Sequence, residues 1–454
     1  MNENREIKFS ILINNINIIL HYSLIMDNAT LFNITPIDGR YKSLTASLKS
    51  EFTEYAFIRQ RVIIEIKYFI FLLKLNNDSF PYNQDLHSFM ENLSDNILFK
   101  HIDSIKQIEQ QIHHDVKSIE YFLTKQLRDN NFDKYINLLH FGLTSQDVNT
   151  TAYSISLHKF KNDIFIPVFD KLLYNLQNKI DLWNNTVIIG RTHGQPATWT
   201  ILGKEFMVFK NKLMREYNIL QTYVITTKIG GSVGNMTSHK LFAKENWEKL
   251  LTQFAAEFGL CRTKYTTQIH NYDEFAFFFD IIKRISSILI DMCRDIWLYC
   301  SLGELTLDKP KEHVGSSVMP HKVNPIEFEN AEGNLKIAEM WLEFLSRELS
   351  KSRLQRDLTD STILRNLGTV FGHLLIGFKN INRGFTFLKE NKNKIEKTLL
   401  ENVSSMSEVD QHLLRLRNEN IGYDTRKNND TSSNFTVDFY KDFILDKSDR
   451  NPHH

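Results

Sequence analysis

The chain has 454 residues, of which 55 are basic and 54 acidic, giving a net charge of +1 with the histidines neutral. That balance excludes the polyelectrolyte signature of a nucleic-acid or anionic-membrane binder, while leaving room for local cations to meet an anionic small molecule. The three cysteines, Cys261, Cys293 and Cys300, form no CxxC pair. This argues against a disulfide framework and a thiolate zinc site, and for a reducing, cytoplasmic setting.

Residues 7–25 are the first apolar stretch, but Asn14, Asn15 and Asn17 interrupt it and the leader lacks the positive charge of a signal peptide. We read residues 1–25 as an extension, unstructured or not native, ahead of a natural start at Met26. Only 8 prolines and 17 glycines occur in the chain, a scarcity of breakers that favours long helices. Ile102, Ile105, Ile108, Ile112, Val116, Ile119 and Leu123 recur every three or four residues, the stripe of one amphipathic helix. Segments 51–73, 153–183, 204–228, 275–302 and 333–350 show similar spacing, several of them apolar nearly all round, as in helices buried in a bundle. The segment 275–300 is too charged to cross a membrane, with Asp280, Lys283, Arg284, Asp291, Arg294 and Asp295 inside it. The expectation is an all-α protein with a central long-helix bundle. Its predicted divisions are an N-terminal helical domain (26–138), a central bundle domain (139–370) and a C-terminal helical domain (371–454) with a polar tail, notably Thr425–Asn434.

Polar motifs fall at the predicted helix ends. His113-His114-Asp115 sits within the stripe that begins at Ile102; without HxxxH or HExxH spacing it is no metal motif. In His140-Phe141-Gly142-Leu143-Thr144-Ser145-Gln146-Asp147, Thr144 or Ser145 is placed to cap a helix and leave N–H groups for an anion. Arg191-Thr192-His193-Gly194-Gln195-Pro196 puts a histidine on a tight loop before a helix expected near Thr198, a suitable place for a general acid. Gly230-Gly231-Ser232-Val233-Gly234-Asn235 reads as a flexible connection that follows no strand. The stretch 315–334, GSSVMPHKVNPIEFENAEGN, packs serines, a histidine, a lysine and asparagines into a loop running from 306 to 330. Pro320 and Pro325 keep it from being helical before about Glu327. Arg353, Arg356 and Arg365, with Ser361 and Thr362, supply guanidinium forks and hydroxyls suited to phosphate or carboxylate. No Walker or GxGxxG pattern accompanies them, which argues against a triphosphate or dinucleotide mechanism, and no cofactor is expected.

In this order the motifs resemble those of the fumarase/aspartase superfamily. GSSVMPHKVNP is similar to its signature loop. The segments PIDGRY (36–41), HHDVKSIEYFL (113–123), HFGLTSQD (140–147), IGRTHGQPAT (189–198), FENAEGN (328–334) and SRLQRDLTDSTILRNLG (352–368) resemble its bacterial-type branch acting on succinylated purine nucleotides. The resemblance is close over 34–370 and loose beyond. It implies an all-α homotetramer with a twenty-helix core and active sites shared between subunits. The implied reaction is β-elimination of fumarate from adenylosuccinate, giving AMP, and from the succinylated aminoimidazole carboxamide ribotide.

Carried over by position, the resemblance makes Ser316 the general base and His193 the general acid. Lys322, Asn324 and Gln268 would hold the substrate carboxylate. Arg40, Tyr41, Arg356, Ser361 and Arg365 would grip phosphate and ribose. His114, Asp115, Thr144, Ser145, Ser317 and Asn330 complete the implied pocket, with His113, Val323, Thr362, Ile363 and Leu364 among its substrate contacts. His113 stands where a smaller polar residue is usual, and Phe141-Gly142-Leu143 mixes features of different subgroups. The chemistry suits these types: a carbanion forming beside a carboxylate is stabilised by a fixed cation such as Lys322. A neutral serine is a weak base, so Ser316 acts as an alkoxide or relays its proton. Competing readings are another lyase of the superfamily, such as argininosuccinate lyase or a fumarase, and a non-catalytic helical protein of the same fold.

Overall fold

The computed structural model describes residues 33–75, 78–308 and 323–402. Two compact units divide the chain: residues up to 164, 224–274 and 349–376 form the first, and 165–223, 275–348 and 377 onward the second. Of the expected features, the extension 1–25, the tail at 425–434 and residues 309–322 of the 306–330 loop lie outside the described residues.

In the first unit, helix α1 (Glu54–Lys74) starts where the Thr53 hydroxyl accepts the Ala56 N–H at 3.2 Å, satisfying one of the orphan donors of the first turn. It buries residues on every face, among them Val62, Ile66, Tyr68, Phe69 and Leu73. Around it lie α2 (Gln84–Asp95), α3 (Phe99–Ile112), α4 (Asp115–Asp129) and α5 (Ser145–Lys159). The apolar faces of α1 to α4 meet in one cluster that includes Met90, Ile105, Ile119, Leu123, Leu138, Trp247 and Phe254. Strands β3 (Thr226–Thr227) and β4 (Cys261–Arg262) add a short parallel pair. The unit closes with the short helix Thr359–Leu364 and the start of the helix Leu367–Phe387.

The second unit is built on long helices: α6 (Ile166–Leu182), α7 (Leu202–Thr222), α8 (Asp273–Leu302) and α9 (Ile326–Leu349), the third running 30 residues. The helix Leu367–Phe387 also contributes; Gly377 and Gly384 share one face, and a Cβ on either would come within 2.6 Å of Leu335 or Phe328. Glycine there lets two helices approach closely. The antiparallel strands β1 (Val187–Thr192) and β2 (Gln195–Ile201) form a hairpin, and β5 (Leu305–Leu307) pairs with β6 (Leu388–Glu390).

Several sequence expectations change. The single stripe at 102–123 is two helices, because His113 takes a left-handed conformation (φ +54°) and ends α3, and His114 then caps α4 by accepting the Lys117 N–H at 3.0 Å. The helix expected near Thr198 begins at Leu202, since residues 195–201 extend to pair with 187–192. Gly230-Gly231 follows β3 and is buried and hydrogen-bonded to Asp147, so this part of the glycine cluster is clasped where a flexible connection was expected. The helical segment expected over 153–183 contains a π turn at Phe160–Phe165. Among the described residues no helix is long and apolar enough to cross a membrane.

Candidate active site

The break between α3 and α4 and the start of α5 bring two helix N-termini to one cleft of the first unit, of about 380 Å³. His113, His114 and Asp115 line it from the first break; Thr144, Ser145, Asn149 and Tyr153 line it from α5. Ser145, Asn149 and Tyr153 are spaced by four, so they share one face of the helix. Gln268 enters from the loop after β4, and Arg356, Leu358, Ser361 and Arg365 enter from the segment before Leu367. Arg61 and Phe57, from α1, form the floor, the guanidinium carbon 3.9 Å from the ring centroid.

Charge in the cleft is strongly positive. Arg61, Arg356 and Arg365 face one carboxylate, Asp115, which Arg61 holds at 3.0 Å. Burial pushes the Asp115 carboxyl up, but the Arg61 charge and the Val116 N–H outweigh it and hold the group below the usual carboxylate range. Burial lowers the affinity of Arg61 for its proton, opposed by Asp115. Helix N-termini add N–H dipoles of the same sign. The cleft suits a polyanion with hydroxyl and carboxylate groups. Among the described residues no group of three or more His, Cys, Asp or Glu is placed to hold a metal.

The arginine and serine are held by buried partners. Oriented to satisfy its neighbours, the Gln146 carbonyl accepts from both terminal nitrogens of Arg356, one at 2.9 Å, and from Ser361 Oγ at 3.1 Å. Asp360 Oδ1 accepts the Ser361 N–H at 2.7 Å, and its other oxygen accepts the Tyr272 hydroxyl at 2.8 Å.

Other expected site residues sit elsewhere. Arg40 and Tyr41 occupy a turn of the first unit outside the cleft lining, with the guanidinium carbon 5.9 Å from the ring. Thr362 is exposed, Ile363 and Leu364 are buried, and Leu364 lines a neighbouring cavity of about 400 Å³. That cavity shares Phe57, Arg61, Asp115, Tyr153 and Arg365 with the cleft. In the second unit, His193 is exposed at the tip of the β1–β2 hairpin, where Thr192 pairs with Gln195 and both His193 and Gly194 have positive φ (54° and 77°). This is a two-residue turn of the primed kind, which matches strand twist. Val323 is exposed, Asn324 is half-buried, and Asn330 Oδ1 accepts from Asn380 at 2.9 Å. Ser316, Ser317 and Lys322 lie outside the described residues.

Sequence reading missed Phe57, Arg61, Asn149 and Tyr153. A signal existed for Arg61, a charge with Glu65 four residues on, in phase with the apolar positions Ile58, Val62 and Phe69 of a largely apolar helix. The Ser145–Asn149–Tyr153 spacing was a second signal.

Two histidines of the first unit, His140 half-buried and His239 buried, have titrations shifted in opposite directions. His140 Nδ1 lies 2.6 Å from Glu65 Oε1, whose side chain is fully buried. Burial alone would lower the His140 pKa, but the charge and hydrogen bond of Glu65 outweigh it and raise it to about 9. His239 is packed beside Trp247 and Tyr68, with neither ring nitrogen hydrogen-bonded, and burial lowers its pKa to about 4. Unfolded, each would titrate near 6.5. The His140 contribution is therefore full below that value and disappears as pH rises through 9. The His239 term works in the opposite sense: stability falls as pH drops from about 6.5 towards 4, because the unfolded chain then binds the extra proton. Melting curves across pH should show loss of Tm on both flanks; Glu65→Gln should flatten the alkaline flank and His239→Leu the acid one. A wild-type Tm constant between pH 4 and 9 would refute this.

Residues 39–338 match the family model described as Lyase, and the chain belongs to that family. Solved structures agree on the fold: a 3-carboxy-cis,cis-muconate lactonizing enzyme from Pseudomonas putida superposes with TM-score 0.65 at 16% identity, covering 82% of this chain and 81% of the other. A fumarate lyase from Mesorhizobium sp. BNC1 gives 0.63 at 15%, covering 78% of each. Residues 352–451 match the model described as adenylosuccinate lyase C-terminal. The adenylosuccinate lyase of Dictyostelium discoideum is 42% identical over 84% of each chain, and that of Buchnera aphidicola (subsp. Baizongia pistaciae) 38% over 91% of this chain and 90% of its own. Within the lyases, the chain belongs to the adenylosuccinate lyase family.

Proposed function

We propose that the chain releases fumarate from adenylosuccinate, giving AMP, and from the succinylated aminoimidazole carboxamide ribotide, in the cytoplasm. The observation that carries this reading is the cleft of the first unit, where Arg61, Arg356 and Arg365, with Ser361, Thr144 and Ser145, line a space suited to a polyanion. A phosphate plus two carboxylates is the charge such a cleft accommodates.

In the proposed mechanism Ser316, as alkoxide or through a relay, removes the proton β to the nitrogen and adjacent to a carboxylate. The electron pair develops on that carbon and spreads into the carboxylate, where Lys322 stabilises it more than it stabilises the ground state. Elimination breaks the C–N bond, and His193 protonates the departing nitrogen. Gln268 and Asn324 hold the carboxylate; Arg356, Ser361 and Arg365, with Arg40 and Tyr41, hold phosphate and ribose. His113, His114, Asp115, Thr144, Ser145, Ser317, Val323, Asn330, Thr362, Ile363 and Leu364 complete the proposed contacts.

We place these sites in a homotetramer that shares them between subunits. Large apolar side chains left exposed on the long helices of the second unit support assembly: Met207, Val208, Trp297, Leu298, Ile337 and Met340 are 40–60% exposed. Sedimentation should give four times the chain mass. Purified protein should release fumarate from adenylosuccinate, followed by absorbance, and not from argininosuccinate or malate. Turnover of either of the latter in preference would refute the assignment.

A further inference from the structure

Asp147 and Lys228 form an ion pair sealed from solvent, Oδ1 to Nζ 2.6 Å, with side chains 1% and 0% exposed. Such pairs contribute little net stability, because desolvation offsets the attraction and an apolar pair of similar volume is often as stable. The hydrogen bonds around this one indicate a second role. Asp147 Oδ2 accepts the Thr144 N–H at 2.8 Å and the Gly231 N–H at 3.0 Å, while Oδ1 accepts the Gly230 N–H at 2.8 Å. Lys228 donates again, to the Gly231 carbonyl at 2.7 Å.

One carboxylate thus joins two turns far apart in sequence, and each leads to the cleft. Thr144 and Ser145 line it directly. The carbonyl of Ser232, next to Gly231, accepts from Gln268 Nε2 at 2.9 Å, and Gln268 lines the cleft too. The turns also touch: a Cβ at Gly231, whose φ is +80°, would stand 2.9 Å from the Gly142 carbonyl oxygen.

We propose that the Asp147–Lys228 pair is a positioning device, holding the Thr144–Ser145 wall of the cleft at a fixed distance from the Gln268 wall and so governing substrate affinity. The pair touches no substrate itself. The inference rests on the adenylosuccinate reading only for the choice of substrate in the assay.

The test uses full-length enzyme carrying Asp147→Asn, Lys228→Met, or both. Each single variant should lower Tm, since it strands or removes a buried charge, and raise KM for adenylosuccinate roughly 10–100-fold, the scale of an ångström-size misplacement, with kcat changing less. The double variant buries no net charge and should recover most of the Tm. Its KM should stay raised, because an amide has only one acceptor oxygen for the three N–H groups. If the double variant recovers both Tm and KM, or if a folded single variant keeps a normal KM, the pair is structural only and the proposal fails. Should the single variants not fold, the double variant decides alone. Amide hydrogen exchange at Thr144, Gly230 and Gly231, read without substrate, should speed up in the double variant. Unchanged exchange overturns the clasp whatever the activity. Faster exchange in a protein whose wild type lacks turnover overturns the substrate reading and leaves the clasp standing.

Discussion

His193→Ala should lower kcat on adenylosuccinate by about 10²–10⁴-fold with Tm unchanged, and Ser316→Ala should do the same, the range a single positioned acid or base supplies. His193 is exposed at a hairpin tip, so truncating it removes no core packing and exposes no buried donor. A loss of rate cannot then be blamed on the fold. The two variants should also be distinguishable. An adenosine-type nitrogen leaves poorly without a proton, so a substrate carrying a better leaving group should recover activity in His193→Ala and not in Ser316→Ala. Turnover within a few-fold of wild type in either purified variant removes that residue from its role.

Arg356→Met should raise KM for adenylosuccinate about 10–100-fold, from the loss of a charge-assisted contact worth roughly 1.5–3 kcal/mol. The Gln146 carbonyl, which also accepts from Ser361, already orients Arg356, so the free enzyme presents its guanidinium in place. The substrate without its phosphate, succinyladenosine, gives the decisive comparison. Wild type should lose affinity for it by a similar factor, and Arg356→Met should lose little more, because the contact is already missing. Full additivity of the two losses would place Arg356 away from the phosphate.

How far this was readable in the sequence varies by element. The long helices were legible because their apolar residues recur with helical period and few breakers interrupt them. The break at His113 was not, since Ile112, Val116 and Ile119 keep helical spacing on both sides of it and the change is confined to the backbone of His113 and His114. The hairpin at 187–201 was hidden by its brevity: a short apolar run beside a glycine does not distinguish a strand from a helix start. Within the cleft, the motif residues His114, Thr144, Ser145, Gln268, Arg356, Ser361 and Arg365 come together in one unit. Arg61 and Tyr153 escaped notice because they lie on helices read as packing surface, where a polar contribution shows only once the neighbours are in place. Asp147 was visible as a helix-start residue, but its bonds to Gly230 and Gly231 span more than eighty positions and no local pattern announces them.

The left-handed backbone at position 193 has an evolutionary corollary. Asparagine and glycine tolerate that conformation best in a two-residue hairpin, and an imidazole gains nothing there from local folding. Selection for heat resistance alone would favour asparagine at that tip and so discard the proposed proton donor, whereas selection for turnover would keep a less comfortable residue. Laboratory evolution of this chain under thermal pressure without a growth requirement for purines should lose histidine at the turn early, a trade of robustness against chemistry confined to one peptide unit.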